Sequence, residues 1–136
     1  MIKLKIRVLS SKEEIETLHQ SEEMIHLAFR PSNTDIFSMV AKCPKLKAIH
    51  MPTSYKKTLS KSSLMFLEMQ GIKTLEGDVG GHREVVEEYS EISQHVYDKI
   101  REYKEKGMSD EDILKQMRAE TGLSSDILSF LIRRTK

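Results

Sequence analysis

Three groups of residues in this 136-residue chain could do chemistry by their types and spacing. The first lies near its end, where Ser125, Asp126, Ser129, Arg133, Arg134 and Lys136 would share the outward side of a helix following Gly122. With an earlier helix opening at Ser109, this is the outline of a helix-turn-helix, whose second helix enters the DNA major groove. Arg133, Arg134 and Lys136 suit phosphate or guanine contacts, and Ser125 and Ser129 can reach either. Lys56, Lys57 and Lys61 would add phosphate contacts. Two features pull the other way. Arg118 stands four places before Gly122, where a small residue usually lets the helices cross, and Asp126 puts a negative charge at the start of the reading helix. Residues 98–136 carry nine Lys or Arg against eight Asp or Glu, a thin balance when affinity comes chiefly from phosphate neutralisation. A packing or dimerising hairpin is the other reading of the same residues.

The second group sits in loops that would follow strands. In open parallel sheets, ligands bind beyond the carboxyl ends of the strands, where helix N-termini present N–H groups. There Arg30 offers a fork of donors, Ser32 and Asn33 begin one helix, and Thr53 and Ser54 begin another. A small anionic ligand fits that composition, although Ser, Thr and Asn are also ordinary helix caps. The third group is the loop from Glu76 to Arg83, with Gly77, Gly80 and Gly81 among Glu76, Asp78 and His82. These could serve as acid, base or metal ligand, yet the loop matches neither a phosphate-binding loop nor a dinucleotide fingerprint. A turn-rich linker explains it equally well. His26 and His50 fall inside two predicted strands and could be neighbours on adjacent strands, most simply as satisfied core or edge histidines. The five histidines have no metal-site spacing, and the lone Cys43 excludes an internal disulfide and the usual cysteine zinc signatures. No metal site or cofactor is expected, no catalytic residue is assigned, and a binding protein is favoured over an enzyme.

The elements that would position these groups follow from periodicity. Residues 2–8 alternate apolar and basic, the pattern of a strand with one exposed face. Ser11 and Glu14 have capping-box spacing for a helix over 12–18. Strands are predicted over 24–29, 46–51 and 72–75, with helices over 34–42 and 54–69. The strand starts are separated by 22, 22 and 26 residues, short for βαβ units of about 30 or more. A compact α/β unit is favoured, with a short solenoid of 20–29-residue repeats as the alternative. Beyond Gly81 the chain reads as wholly helical, with 84–89 a short helix or linker and a firm helix over 93–106. Its face is Val96, Ile100 and Tyr103. The expected fold is therefore α/β, a small four-stranded parallel sheet built from βα repeats, followed by a helical hairpin resembling a helix-turn-helix. The domains would be 1–82 and 83–136, the hairpin occupying 107–136.

Charge is segregated. Between residues 36 and 67 there are six lysines and no carboxylate, whereas 76–91 holds six carboxylates and one arginine. Such blocks either build an anion-attracting face or cancel across the fold. The alternating N-terminus is unlike a signal peptide, and no apolar run approaches the roughly 20 residues of a membrane span. A cytoplasmic protein without membrane contact is expected.

Several segments also resemble a known family: His26-Leu27-Ala28-Phe29-Arg30-Pro31-Ser32-Asn33, Cys43-Pro44-Lys45-Leu46-Lys47-Ala48-Ile49, and Phe66-Leu67-Glu68-Met69-Gln70 followed by Leu75-Glu76-Gly77-Asp78-Val79. They are similar to a family of methanogenic archaea classed as domain of unknown function 1699. The resemblance spans nearly the whole chain and implies a cytoplasmic archaeal protein, but no activity. On the residues alone, the expected function is nucleic-acid-binding regulation, with DNA as partner and a homodimer supplying a second reading helix. The alternative is an α/β domain, possibly enzymatic, that binds a small anionic ligand.

Overall fold

The computed structural model describes residues 5–77, 83–86 and 89–135, with 83–86 and 89–91 described by backbone alone. Strands β1 (Lys5–Leu9), β2 (Met24–Leu27), β3 (Ala48–Met51) and β4 (Lys73–Glu76) pair in parallel. The connections carry a 3-10 helix (Lys12–Thr17), then α1 (Asn33–Lys42), then α2 (Thr53–Lys57) with α3 (Lys61–Met69). The close repeat spacing is met by strands of four or five residues and helices of ten or fewer. The chain is a layered α/β sheet, as favoured, and not a solenoid.

The segment expected to be wholly helical begins instead with an antiparallel hairpin. Strand β5 (Arg83–Val86) pairs with β6 (Tyr89–Ile92), and β6 lies antiparallel against β1, giving the order β4-β3-β2-β1-β6-β5. Val85, Val86, Tyr89 and Ile92 supply the β-branched and aromatic residues that strands favour. Three helices follow: α4 (Gln94–Glu105), α5 (Asp110–Thr121) and α6 (Ser125–Arg134).

Both faces of the sheet are covered. Ile6, Met24, Ala48, Leu75 and Ile92 pack against α4, α5 and α6 through Ile100, Ile113, Met117, Leu128 and Leu131. Leu9, Ile25, Leu27, Ile49 and Met51 pack on the other side against Ile36, Met39 and Leu67 of α1 and α3. The first strand therefore has no exposed face, and Arg7, which the alternation placed in solvent, is fully buried.

Local chemistry modifies two predicted helices. Ser11 makes no capping bond. Glu14 instead accepts from the Ser10 N–H at 3.3 Å, and the segment tightens into 3-10 geometry. The helix predicted over 54–69 divides at Thr58. Its hydroxyl donates to the Tyr55 carbonyl at 3.0 Å, and Ser60 recaps the chain by accepting from Ser63 N–H at 3.0 Å. Hydroxyl side chains compete with the backbone ladder in this way and end helices.

Arg7 is held beneath the 3-10 helix. Its Nη1 lies 3.1 Å from Glu22 Oε2, both side chains being almost fully buried, and its Nη2 donates to the Thr17 hydroxyl. Removing one member of such a pair strands the other charge in a low-dielectric interior. Glu22→Ala should therefore lower the unfolding free energy by about 3–5 kcal/mol. Urea denaturation checks this, and a loss no larger than that of a surface substitution would show that the pair is dispensable.

Candidate nucleic-acid interface

The C-terminal helices form a three-helix unit whose ends are individually specified. Ser109 accepts from the Asp112 N–H at 3.2 Å, and Asp110, Glu111 and Asp112 complement the positive start of α5. The helix closes at Gly122, whose φ of +72° places it in the left-handed region that glycine reaches without strain. Leu123 N–H then donates to the Thr121 hydroxyl at 3.2 Å, and Ser124 caps α6 by accepting from Ile127 N–H at 3.3 Å. Met117 and Thr121 are buried where α5 and α6 meet, while Arg118 and Ala119 are exposed. The unusual arginine before the glycine thus faces solvent and leaves the crossing undisturbed. Tyr103 of α4 donates to Glu120, a bond that, with burial, raises the phenol above its ordinary pKa. Lys104 donates to the Ile132 and Thr135 carbonyls at the end of α6.

Helix α6 is embedded more deeply than a reading helix needs. Ile127, Leu128, Phe130, Leu131 and Ile132 are all buried. Polar contacts tie both its ends to the sheet. At the start, the Asp126 carboxylate accepts from the Glu76 N–H of edge strand β4 at 2.6 Å, and Ser124 Oγ lies 3.5 Å from His50 Nε2. At the end, Arg134 pairs with Glu23 at 3.3 Å, and Glu23 also takes Lys47 at 3.0 Å. Burial alone would raise the Glu23 carboxyl, but the hydrogen bonds and charges of Lys47 and Arg134 together hold it below its ordinary value.

Of the residues expected to face nucleic acid, Ser125 and Ser129 are half-buried, Arg134 is committed to Glu23, and Arg133 is exposed. Lys136 lies outside the described residues. Ser129 and Arg133 line a groove of about 630 Å³ at the β4 edge, with Lys73 and Thr74 along its floor and Leu64 and Glu68 of α3 opposite. Lys56 reaches the last residue of the same strand, pairing with Glu76 at 3.7 Å. Lys57 and Lys61 belong to the helical layer on the opposite face of the sheet from α6.

The loop residues of the anionic-ligand alternative are partly brought together, but onto one another. Arg30 lies over the Tyr55 ring at 4.9 Å and donates to Ser54 O and the Thr58 hydroxyl. Ser32 forms a full capping box with Asp35. Asn33 Oδ1 accepts from Ser60 and Ser63 hydroxyls at 2.7 and 2.6 Å. Thr53 opens α2 after Pro52. Asp78 and His82 lie outside the described residues.

His26 and His50 are register partners on β2 and β3, on the sheet face that carries α6. Both are buried, their Nδ1 atoms are 2.7 Å apart, and their rings are tilted by 40°. One Nδ1 therefore donates and the other accepts. Among the described residues no three metal-ligating side chains converge. Burial pushes the Cys43 thiol up to about 11, so it is not an activated nucleophile. Sequence reasoning missed the contacts of Asp126 with Glu76 and of Ser124 with His50, which join residues 50 and 74 positions apart.

These features define an α/β protein carrying a C-terminal helix-turn-helix-like domain packed on its sheet. Residues 5–88 match the model described as the "Family of unknown function (DUF1699) N-terminal domain", and residues 95–133 match the "Protein of unknown function (DUF1699) C-terminal HTH domain". The chain belongs to the DUF1699 family. Neither the curated proteins nor the solved structures contain a match. Among the described residues, no helix is long and apolar enough to cross a membrane.

Two outcomes test the docking of α6. Gly77 has φ +141°, and a Cβ there would fall 2.5 Å from Ser124 Cβ. Gly77→Ala should destabilise the chain by about 1–3 kcal/mol through overlap alone, and adding Ser124→Gly should recover part of it in urea titrations. An identical loss in the single and double variants would assign the whole effect to backbone strain. For Glu23, a lowered folded-state pKa contributes stability that is present above its ordinary 4.5 and lost as pH falls through the folded value. Glu23→Gln should therefore flatten the acid limb of stability against pH, and an unchanged acid limb would remove Glu23 from the linkage.

Proposed function

We propose that this chain is a nucleic-acid-binding regulatory protein, with α6 of the helix-turn-helix-like domain as its contacting element and the α/β unit as its sensing or dimerising support. One observation carries the reading. Arg133 is exposed on the same stripe of α6 as Ser129, and it shares a groove with exposed Lys73 of β4. Neither cation has an ion pair among the described residues. Two uncommitted cations lining one groove, beside hydroxyls of Thr74 and Ser129, suit a phosphate backbone, where Lys and Arg position the protein and hydroxyls add hydrogen bonds. Glu68 of α3 and Asp126 of α6 line the same groove, so the phosphate contacts fall to Arg133 and Lys73.

This reading separates two adjacent arginines that sequence alone treats alike. Arg134 holds α6 to Glu23, so its loss acts on docking, whereas Arg133 is available to a ligand. The anionic-metabolite alternative has no comparable support, because Arg30 and Asn33 are occupied by partners within the chain.

Fluorescence anisotropy of labelled duplex DNA, titrated at low and physiological salt, tests the proposal. Binding should weaken steeply with salt. Arg133→Ala and Lys73→Ala should each weaken it across sequences and reduce the salt slope by about one. Arg134→Ala should leave the slope nearly unchanged. Absence of binding at low salt, or binding indifferent to Arg133→Ala, would overturn it.

A further inference from the structure

Among the described residues, the large apolar side chains left exposed are Phe37, Met65 and Met69, on α1 and α3. Met69 is 79% exposed, Met65 62% and Phe37 43%. At 100° per residue, positions 61, 65, 68 and 69 of α3 fall within about a 100° arc, opposite buried Ser63 and Leu67. Phe37 of α1 widens the strip, its ring meeting Phe66 edge-on at 4.8 Å. Lys61 stands at one end and Glu68 near the other. Both are exposed, and neither has an ion pair among the described residues.

We propose that this strip is a homodimer interface in which α3 packs antiparallel against α3 of a second copy, about a two-fold axis near Met65. The charges select that occupant and orientation. About 10 Å of helix separates residues 61 and 68. Antiparallel pairing brings Lys61 of each copy opposite Glu68 of the other, while parallel pairing would oppose like charges. A two-fold contact must be self-complementary in this way. Met65 meets its own counterpart across the axis, and Phe37 closes the flank. Methionine side chains pack adaptably in such contacts. The inference is independent of nucleic-acid binding, because its readout is mass.

Sedimentation velocity on the full chain, from micromolar to hundreds of micromolar, should show a concentration-dependent monomer–dimer equilibrium. Met65→Asp should weaken dimerisation about tenfold or more, as loss of a central apolar contact does. Lys61→Glu should also weaken it, and the swap Lys61→Glu/Glu68→Lys should restore it, with thermal melts confirming that each surface variant is folded. A chain monomeric throughout overturns the proposal and leaves the strip to a foreign partner. A dimer indifferent to Met65→Asp, or one weakened by Lys61→Glu and not rescued by the swap, also overturns it.

Discussion

A parallel sheet must be covered on both faces, and this requirement governs the rest of the molecule. The crossovers between β1, β2, β3 and β4 are short and place their helices on one side only. The other face, with Ile6, Met24, Ala48 and Leu75, would remain in water unless something downstream covered it. Helices α4, α5 and α6 do so. The helix-turn-helix-like domain is therefore half of the protein's core and not an appendage on a tether. The β5–β6 hairpin extends the sheet past β1 and delivers the chain to that uncovered face.

The same constraint explains the unusual attachments of α6. A helix lying at the rim of a sheet leaves outward N–H groups of the edge strand exposed, a template for unwanted pairing. Asp126 accepts from one of them, Glu76 N–H, so the negative charge at the start of α6 blunts an edge. Gly77 lets the strand end approach Ser124 closely, and the His26–His50 pair fills the space beneath. Glu23 collects Lys47 and Arg134 at the far end. Asp126 and Arg134, which look like parts of a reading surface in sequence, are fastenings of a covering helix, and a stripe ending in Arg133 is left over.

The sequence conveyed the elements better than their docking. The alternation of β1, the Pro and Ser punctuation around α1 and the glycine closing α5 are local signals, and β1 to β4 with α1, α4, α5 and α6 were legible from them. So was the neighbourhood of His26 and His50, since both fall inside strands predicted to lie in one sheet. The hairpin was obscured by four glutamates among its ten residues, which hide the β-branched positions. Arg7 sits in the polar phase of an amphipathic-looking strand, and its burial depends on Glu22 and Thr17 arriving from the next connection. The split of α2 from α3 turns on the hydroxyls of Thr58 and Ser60, which periodicity ignores. The fastenings of α6 join residues fifty or more positions apart, and nothing in one chain's pattern announces them.

The electrostatics then bear on how such a domain could act. The lysines of 42–61 do not make one continuous basic face: Lys42, Lys47 and Lys56 have carboxylate partners, and Lys57 and Lys61 sit across the sheet from α6. A single copy offers nucleic acid little more than Arg133 and Lys73 on one groove. Each phosphate neutralised adds a roughly constant increment to affinity at a given salt concentration, so two cations hold a duplex weakly. A second copy doubles the contacts, and once one head is bound the other acts at the effective concentration set by their separation. Pairing through α3 would use the layer on the opposite face of the sheet from α6, with Glu68, which also lines the groove, drawn toward Lys61 of the second copy. The two proposals are thus compatible in one chain: the covering role limits what α6 can present, and dimerisation through the exposed strip would multiply it.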